Sequence, residues 1–142
     1  MGAHNKRARM KGRSTSGRFA LVPLAVLDST SYAALSWPAR ALLLDMAGQY
    51  SGANNGDLTA AHAVLRKRGW QRSTLQAATA ELEAAGFIVR TRQGGRNTCN
   101  LYAVTWQPID DCPGKRLDHG YPVGGPPLRL WTKTETLARQ SG

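Results

Sequence analysis

The sequence is short of the features that several protein classes require. It has only two cysteines, Cys99 and Cys112, so a disulfide framework has no support and both are read as free thiols. With His4, His62 and His119 they show no zinc-ligand spacing, and no metal is expected. No uninterrupted apolar run approaches the roughly 20 residues of a membrane-crossing helix, and no apolar segment follows the early charges as a signal peptide would require. The expectation is therefore a cytoplasmic, nucleoid-associated chain with no membrane partner. Catalytic signatures are missing as well. Gly94-Gly95-Arg96 lacks the Lys-Ser/Thr of a phosphate-cradling loop, there is no Ser-Gly elbow, and the three histidines sit in unlike contexts. Neither an enzyme nor a cofactor is expected. Acidic residues are scarce too: nine against nineteen Lys and Arg, for a formal charge of +10 and a pI near 10.5. Such a charge attracts polyanions, but it speaks to partners and not to fold.

What is present divides into three stretches. Residues 1–18 form a basic arm, 19–107 a domain with apolar periodicity, and 108–142 a Pro/Gly-rich C-terminal extension. The arm carries Lys6, Arg7, Arg9, Lys11, Arg13 and Arg18 among Gly and Ser, with nothing to bury, and is read as disordered. It is either a solubilising tail or an arm that follows phosphates or a minor groove. Up to Gln107 the chain has fourteen basic and five acidic residues; beyond it, five and four. The positive excess thus resides in the domain and its arm.

The domain opens on an apolar stretch, Phe19 to Leu27, with Pro23 suited to the first turn of a short helix, and then a polar break, Asp28 to Ser31. Ser36 caps a helix from Trp37 to about Tyr50, with Ala39, Leu42, Leu43, Met46, Ala47 and Tyr50 on one face. Leu44 points away from that face, so a second cover is expected, either the Phe19–Leu27 segment or a partner subunit. Ser51 to Asp57 is a turn by its Asn and Gly content; a cation loop is the weaker reading, since only one carboxylate is present.

From Leu58 to Trp106 the order is helix, tight turn, helix and two strands, which predicts a winged helix-turn-helix: an α+β, mainly α, fold with a two- or three-stranded wing sheet. The first helix is expected over Ala60 to Arg68 with Thr59 as cap, and the second begins at a Ser73 cap and ends near Ala85, where Gly86 stops it. Phe87–Arg92 and Cys99–Trp106 read as strands around a Gly94-Gly95 turn, with Leu58 as a short third strand. Leu75, Ala78, Leu82 and Ala85 make the buried stripe of the second helix. Trp70 and Trp106 are expected as core anchors, with Trp37 joining them.

In a helix-turn-helix the leading end of the second helix meets base edges, where Gln bonds adenine bidentately and Arg prefers guanine. Gln71, Arg72, Ser73, Thr74 and Gln76 are therefore the expected base readers. Arg66, Lys67 and Arg68 before the turn, and Arg90, Arg92, Arg96 and Asn97 in the wing, are expected to grip the backbone. Glu81 and Glu83 would repel phosphates and confine reading to the first two turns. In the extension, Leu128, Leu130 and Trp131 could anchor the tail onto the domain or a partner.

Several motifs carry a resemblance. Gly17-Arg18-Phe19 with Leu21 and Pro23, Leu27-Asp28-Ser29, Leu35-Ser36 with Ala39-Arg40, Asn54-Asn55-Gly56, Arg68-Gly69-Trp70, Glu81-Leu82 with Gly86-Phe87-Ile88, and Tyr102 to Trp106 resemble small winged helix-turn-helix proteins of bacterial chromosomes, prophages and plasmids. The resemblance covers about Gly12 to Asp110. It implies a winged-helix fold, DNA binding, and a part in regulating or replicating a mobile element.

The resulting expectation is a sequence-specific binder of double-stranded DNA, acting as a transcriptional regulator of a mobile element or its host. The alternatives are a replication accessory protein of a plasmid or phage, and a winged-helix module that binds or inhibits a host protein. A homodimer is compatible with all three.

Overall fold

The computed structural model describes residues 17–133, an α+β fold that is mainly helical with one two-stranded antiparallel sheet. The arm residues Lys6, Arg7, Arg9, Lys11 and Arg13 lie outside the described residues. Two short helices come first, α1 (Leu24–Leu27) and α2 (Thr30–Ala33). Pro23 precedes α1 as its cap residue. Asp28 to Ser31 is not simply a polar break: the Ser29 hydroxyl accepts the Tyr32 N–H and starts α2.

Helix α3 (Trp37–Ala47) starts where the Ser36 cap and Pro38 require, and it buries Ala39, Leu42, Leu43, Met46 and Ala47. It ends three residues before Tyr50. Asn54 takes over there, donating to the Gln49 carbonyl and accepting the Ser51 N–H, so a local side-chain turn outcompetes another helical turn. Tyr50 leaves the buried stripe, and its hydroxyl donates to the Gly52 carbonyl.

The expected helix Ala60–Arg68 is shorter and changes type. Thr59 Oγ1 accepts the Ala61 N–H, helix α4 covers only His62–Leu65, and Arg66–Arg68 tighten into a 3₁₀ turn closed by Gly69 at φ 93°. Helix α5 (Arg72–Ala85) begins after Gln71, so Ser73 lies inside its first turn and is not its cap. Gly86, at φ 83°, ends it in the left-handed conformation that glycine accepts without strain.

Strand β1 (Ile88–Arg92) pairs with β2 (Leu101–Val104), both shorter than the sequence pattern, with a bulge between Arg90 and Arg92. Leu58 bridges to Tyr102 as a third, single-residue partner. The hairpin turns on Arg96-Asn97 and not on Gly94-Gly95, because Gly95 and Thr98 exchange both backbone hydrogen bonds and Asn97 takes φ 62°.

Packing explains why the strands do not alternate cleanly. Ile88, Tyr102 and Val104 face the main core with α3 and α5, while Val89 and Ala103 pack with Ile109, Leu128 and Leu130 of the C-terminal segment. Both sheet faces are covered, so β2 is buried at every position. Residues 108–133 are thus fastened to the domain. Arg129 N–H donates to the Thr105 carbonyl, Asp118 N–H to Thr91, and the Trp131 ring stacks on Phe87 with centroids 5.8 Å apart. Trp131, at 2% exposure, takes the core place expected of Trp37, which is 77% exposed. No helix of the described residues is long and apolar enough to cross a membrane.

Candidate nucleic-acid interface

The buried side of α5 consists of Leu75, Ala78, Thr79 and Leu82, with Ala85 half-buried beside them. Thr79 fits there because its hydroxyl donates to the Leu75 carbonyl. The opposite side, Ser73, Ala77, Ala80 and Ala84, is exposed. The two acidic residues of the helix do not lie free on that surface. Glu81 accepts from the backbone N–H and the hydroxyl of Ser36 at 2.8 and 2.6 Å, tying α5 to the start of α3. Glu83 pairs with Arg90 at 3.2 Å. Glu83 is thus charge-compensated by Arg90, whereas the donors on Glu81 are neutral and leave its negative charge in place.

All five expected readers are exposed at the leading end of α5. None of the side chains of Gln71, Arg72, Ser73, Thr74 and Gln76 makes a hydrogen bond or ion pair among the described residues. They fall on two flanks. Arg72 and Gln76 line a cleft of about 320 Å³ between α5 and the sheet, with Arg90, Asn100 and Tyr102 across it. Gln71 and Thr74 line an open groove on the other side, with Trp37, Asp45 and Trp70. Ser73 lies between the flanks.

The basic residues divide by what already holds them. Arg66 and Lys67 are exposed and without an ion pair among the described residues, whereas Arg68 meets Asp45 at 3.3 Å. The same carboxylate accepts Trp70 Nε1–H at 2.7 Å, which fixes the half-buried indole at the turn. Arg90 donates to Gln93 as well as to Glu83. Partial burial pulls its pKa down, but the Glu83 hydrogen bond and charge outweigh that and raise it above the ordinary arginine value. Arg92 is committed inward, donating to the carbonyls of Cys99 and Lys115. It holds the hairpin and the C-terminal segment together, an inward engagement that the expected backbone grip did not include. Arg96 is exposed at the hairpin tip, and Asn97 beside it serves the turn conformation.

Two supports escaped sequence reading. Asn55 is fully buried: its amide N–H groups face the carbonyls of Val104, Gln107 and Pro108, and its oxygen accepts the Val104 N–H at 2.9 Å. Its own N–H donates to Asp110. The Ser51–Asp57 loop is thereby a clamp on the end of β2, with the Asn55 amide spent on backbone. An Asn-Asn-Gly run carries turn propensity but no sign of such a distant partner. Among the described residues no group of His, Cys, Asp and Glu could hold a metal ion. The second support is Glu81, whose partner Ser36 lies 45 residues away.

No protein-family model, curated protein or solved structure matches this chain.

Proposed function

We propose that the protein is a winged helix-turn-helix that binds double-stranded DNA with sequence preference and regulates transcription on a mobile element or its host. In this reading α4, the 3₁₀ turn and α5 are the helix-turn-helix, α5 enters the major groove, and the β1–β2 hairpin with the Leu58 bridge is the wing.

One observation carries the proposal. Five polar side chains at the leading end of α5 have no hydrogen-bond or ion-pair partner among the described residues, and Arg66, Lys67 and Arg96 are exposed as well. Elsewhere on the same helix the polar groups are spent, Thr79 on Leu75, Glu81 on Ser36 and Glu83 on Arg90. Unspent donors and acceptors at that end match what base edges offer, and small Ala77 and Ala80 behind them permit close approach. The residues suited to phosphates are Arg66, Lys67, Arg68 and Arg96, with the arm in support.

The test is selection of bound fragments from a random duplex library, followed by mobility shifts over a salt series. A defined consensus, bound at least about a hundredfold more tightly than random duplex, is the expected result. Equal retention of all sequences would reduce the protein to a non-specific polycation binder, and no retention at low salt would end the DNA reading.

A further inference from the structure

Trp37 is 77% exposed, yet its ring is held in one orientation. The Arg40 guanidinium lies over one face, 4.6 Å from the ring centroid, and Arg40 is itself fixed by a hydrogen bond to the Ala33 carbonyl and by the Tyr32 ring at 4.8 Å. On that side lies a hollow that Val22 and Leu27 line together with Leu44, which stays 58% exposed. The other face of the indole is open to solvent. Trp37 also lines the groove of about 510 Å³ that it shares with Trp70, Gln71 and Thr74, a volume within the roughly 300–1,000 Å³ of sites that take small organic groups.

This groove has the parts of a stacking platform. Trp37, Ala41 and Asp45 share one flank of α3, and Asp45 fixes Trp70 at the far end through the indole N–H. Two helical turns therefore separate the ends, roughly 12 Å, which is several times the ~3.4 Å step between stacked bases. Asp45 is the one acidic residue of the lining, and Arg68, also in the lining, pairs with it at 3.3 Å. Arg66 and Lys67, exposed and without an ion pair among the described residues, precede that wall directly in the chain. Glu81, bonded to Ser36, keeps a negative charge beside the Trp37 end. A polyanion is thus drawn to the Trp70 end, with the open indole face of Trp37 beyond it.

We propose that this groove binds single-stranded DNA, with an unpaired base stacked on Trp37 and phosphates held by the Arg66–Arg68 turn. Bases inside a duplex have both faces covered by their neighbours, so a free indole face serves only a base outside the stack. Gln71 and Thr74 on the rim have donors and acceptors to spare for its edge. The site goes beyond the duplex reading: it shares the basic turn and these two rim residues with it, but Trp37 has no part in that reading, and Arg72 and Gln76 line the other flank of α5.

Fluorescence anisotropy of a dye-labelled oligo(dT) on the full chain tests it, and because this strand forms no duplex, its outcome is separable from that of the duplex reading. Trp37→Ala is expected to weaken oligo(dT) binding about tenfold or more while the circular dichroism spectrum is kept, and Trp37→Phe to retain most of the affinity. An abasic strand of equal length should bind more weakly than oligo(dT), and equally to wild type and Trp37→Ala. A strand carrying 5-iodouracil should photo-crosslink to the wild type at Trp37 or at the rim, a readout that needs no variant to fold. No binding of oligo(dT) at low salt overturns the proposal, as do equal binding of the abasic strand, unchanged affinity of Trp37→Ala, or crosslinks confined to other surfaces. Binding of free dTMP as tight as that of oligo(dT) would also overturn it, leaving a mononucleotide site.

Discussion

Arg72 and Gln76 share one flank of α5 and face Arg90 across the cleft, and the proposed DNA binding would bring both to the same side of a duplex. Either change, Arg72→Ala or Gln76→Ala, is expected to cost about 1 to 3 kcal/mol on a selected site and to relax preference at one position, measured by mobility shift against single-base variants. Arg96 at the hairpin tip is a different case. Arg96→Ala should weaken binding to all duplexes alike and flatten the dependence on salt by about one counterion. Equal loss on selected and random duplex for the Arg72 and Gln76 variants would remove them from base reading. The exposure of Arg72 and Gln76 was legible from the sequence, because it follows from local spacing at a helix start. The fate of Arg92 was not, since it depends on the Lys115 carbonyl, which lies 23 residues away.

At the scale of elements, the register of α3 and α5 followed from apolar periodicity, and both helices bury nearly the stripes their spacing requires. Their ends did not follow so well, because ends are decided by competition between caps and local side-chain bonds. Asn54 shortens α3, and Thr59 delays α4. The junction of α5 with β1 is the tightest of these ends. Gly86 holds φ 83°, and a Cβ there would lie 2.6 Å from the Leu130 carbonyl carbon and 2.8 Å from the Trp131 nitrogen. Gly86→Ala therefore combines left-handed strain with a backbone clash and should cost about 2 kcal/mol or more in denaturant melts. Gly69→Ala is the control: it has positive φ but open space around it, and is expected to cost only about 1 kcal/mol. Equal costs at the two sites would mean that the C-terminal segment does not press on this junction.

At the scale of the molecule, the segment 108–133 is what converts a one-sided hairpin into a sheet covered on both faces. Trp131 against Phe87 and Ile109 against Val89 and Ala103 bury surface that a chain ending at Gln107 would expose. Trp131→Ala is expected to cost about 3 to 5 kcal/mol, and truncation after Gln107 to yield a chain that binds apolar dyes or fails to fold. A truncated chain with unchanged melting would show that the segment only rests on the domain. The composition of this stretch, rich in Pro and Gly and poor in periodicity, concealed that role. Its anchors are single residues separated by irregular chain, so no repeat announces them.

The sequence by itself determined what depends on neighbours a few residues away: the helical stripes, the glycine stops, the order of helices and strands, and where positive charge collects. Tertiary structure alone decided which polar groups remain unspent. Glu81, Arg92 and Asn55 find their partners 23 to 55 residues along the chain, and a hydrogen bond over such a span is a property of the packed core and not of any local pattern. The same holds for the tryptophans. Whether an indole is buried depends on the surface brought against it, and the fold brings Phe87 to Trp131 while leaving Trp37 in the open.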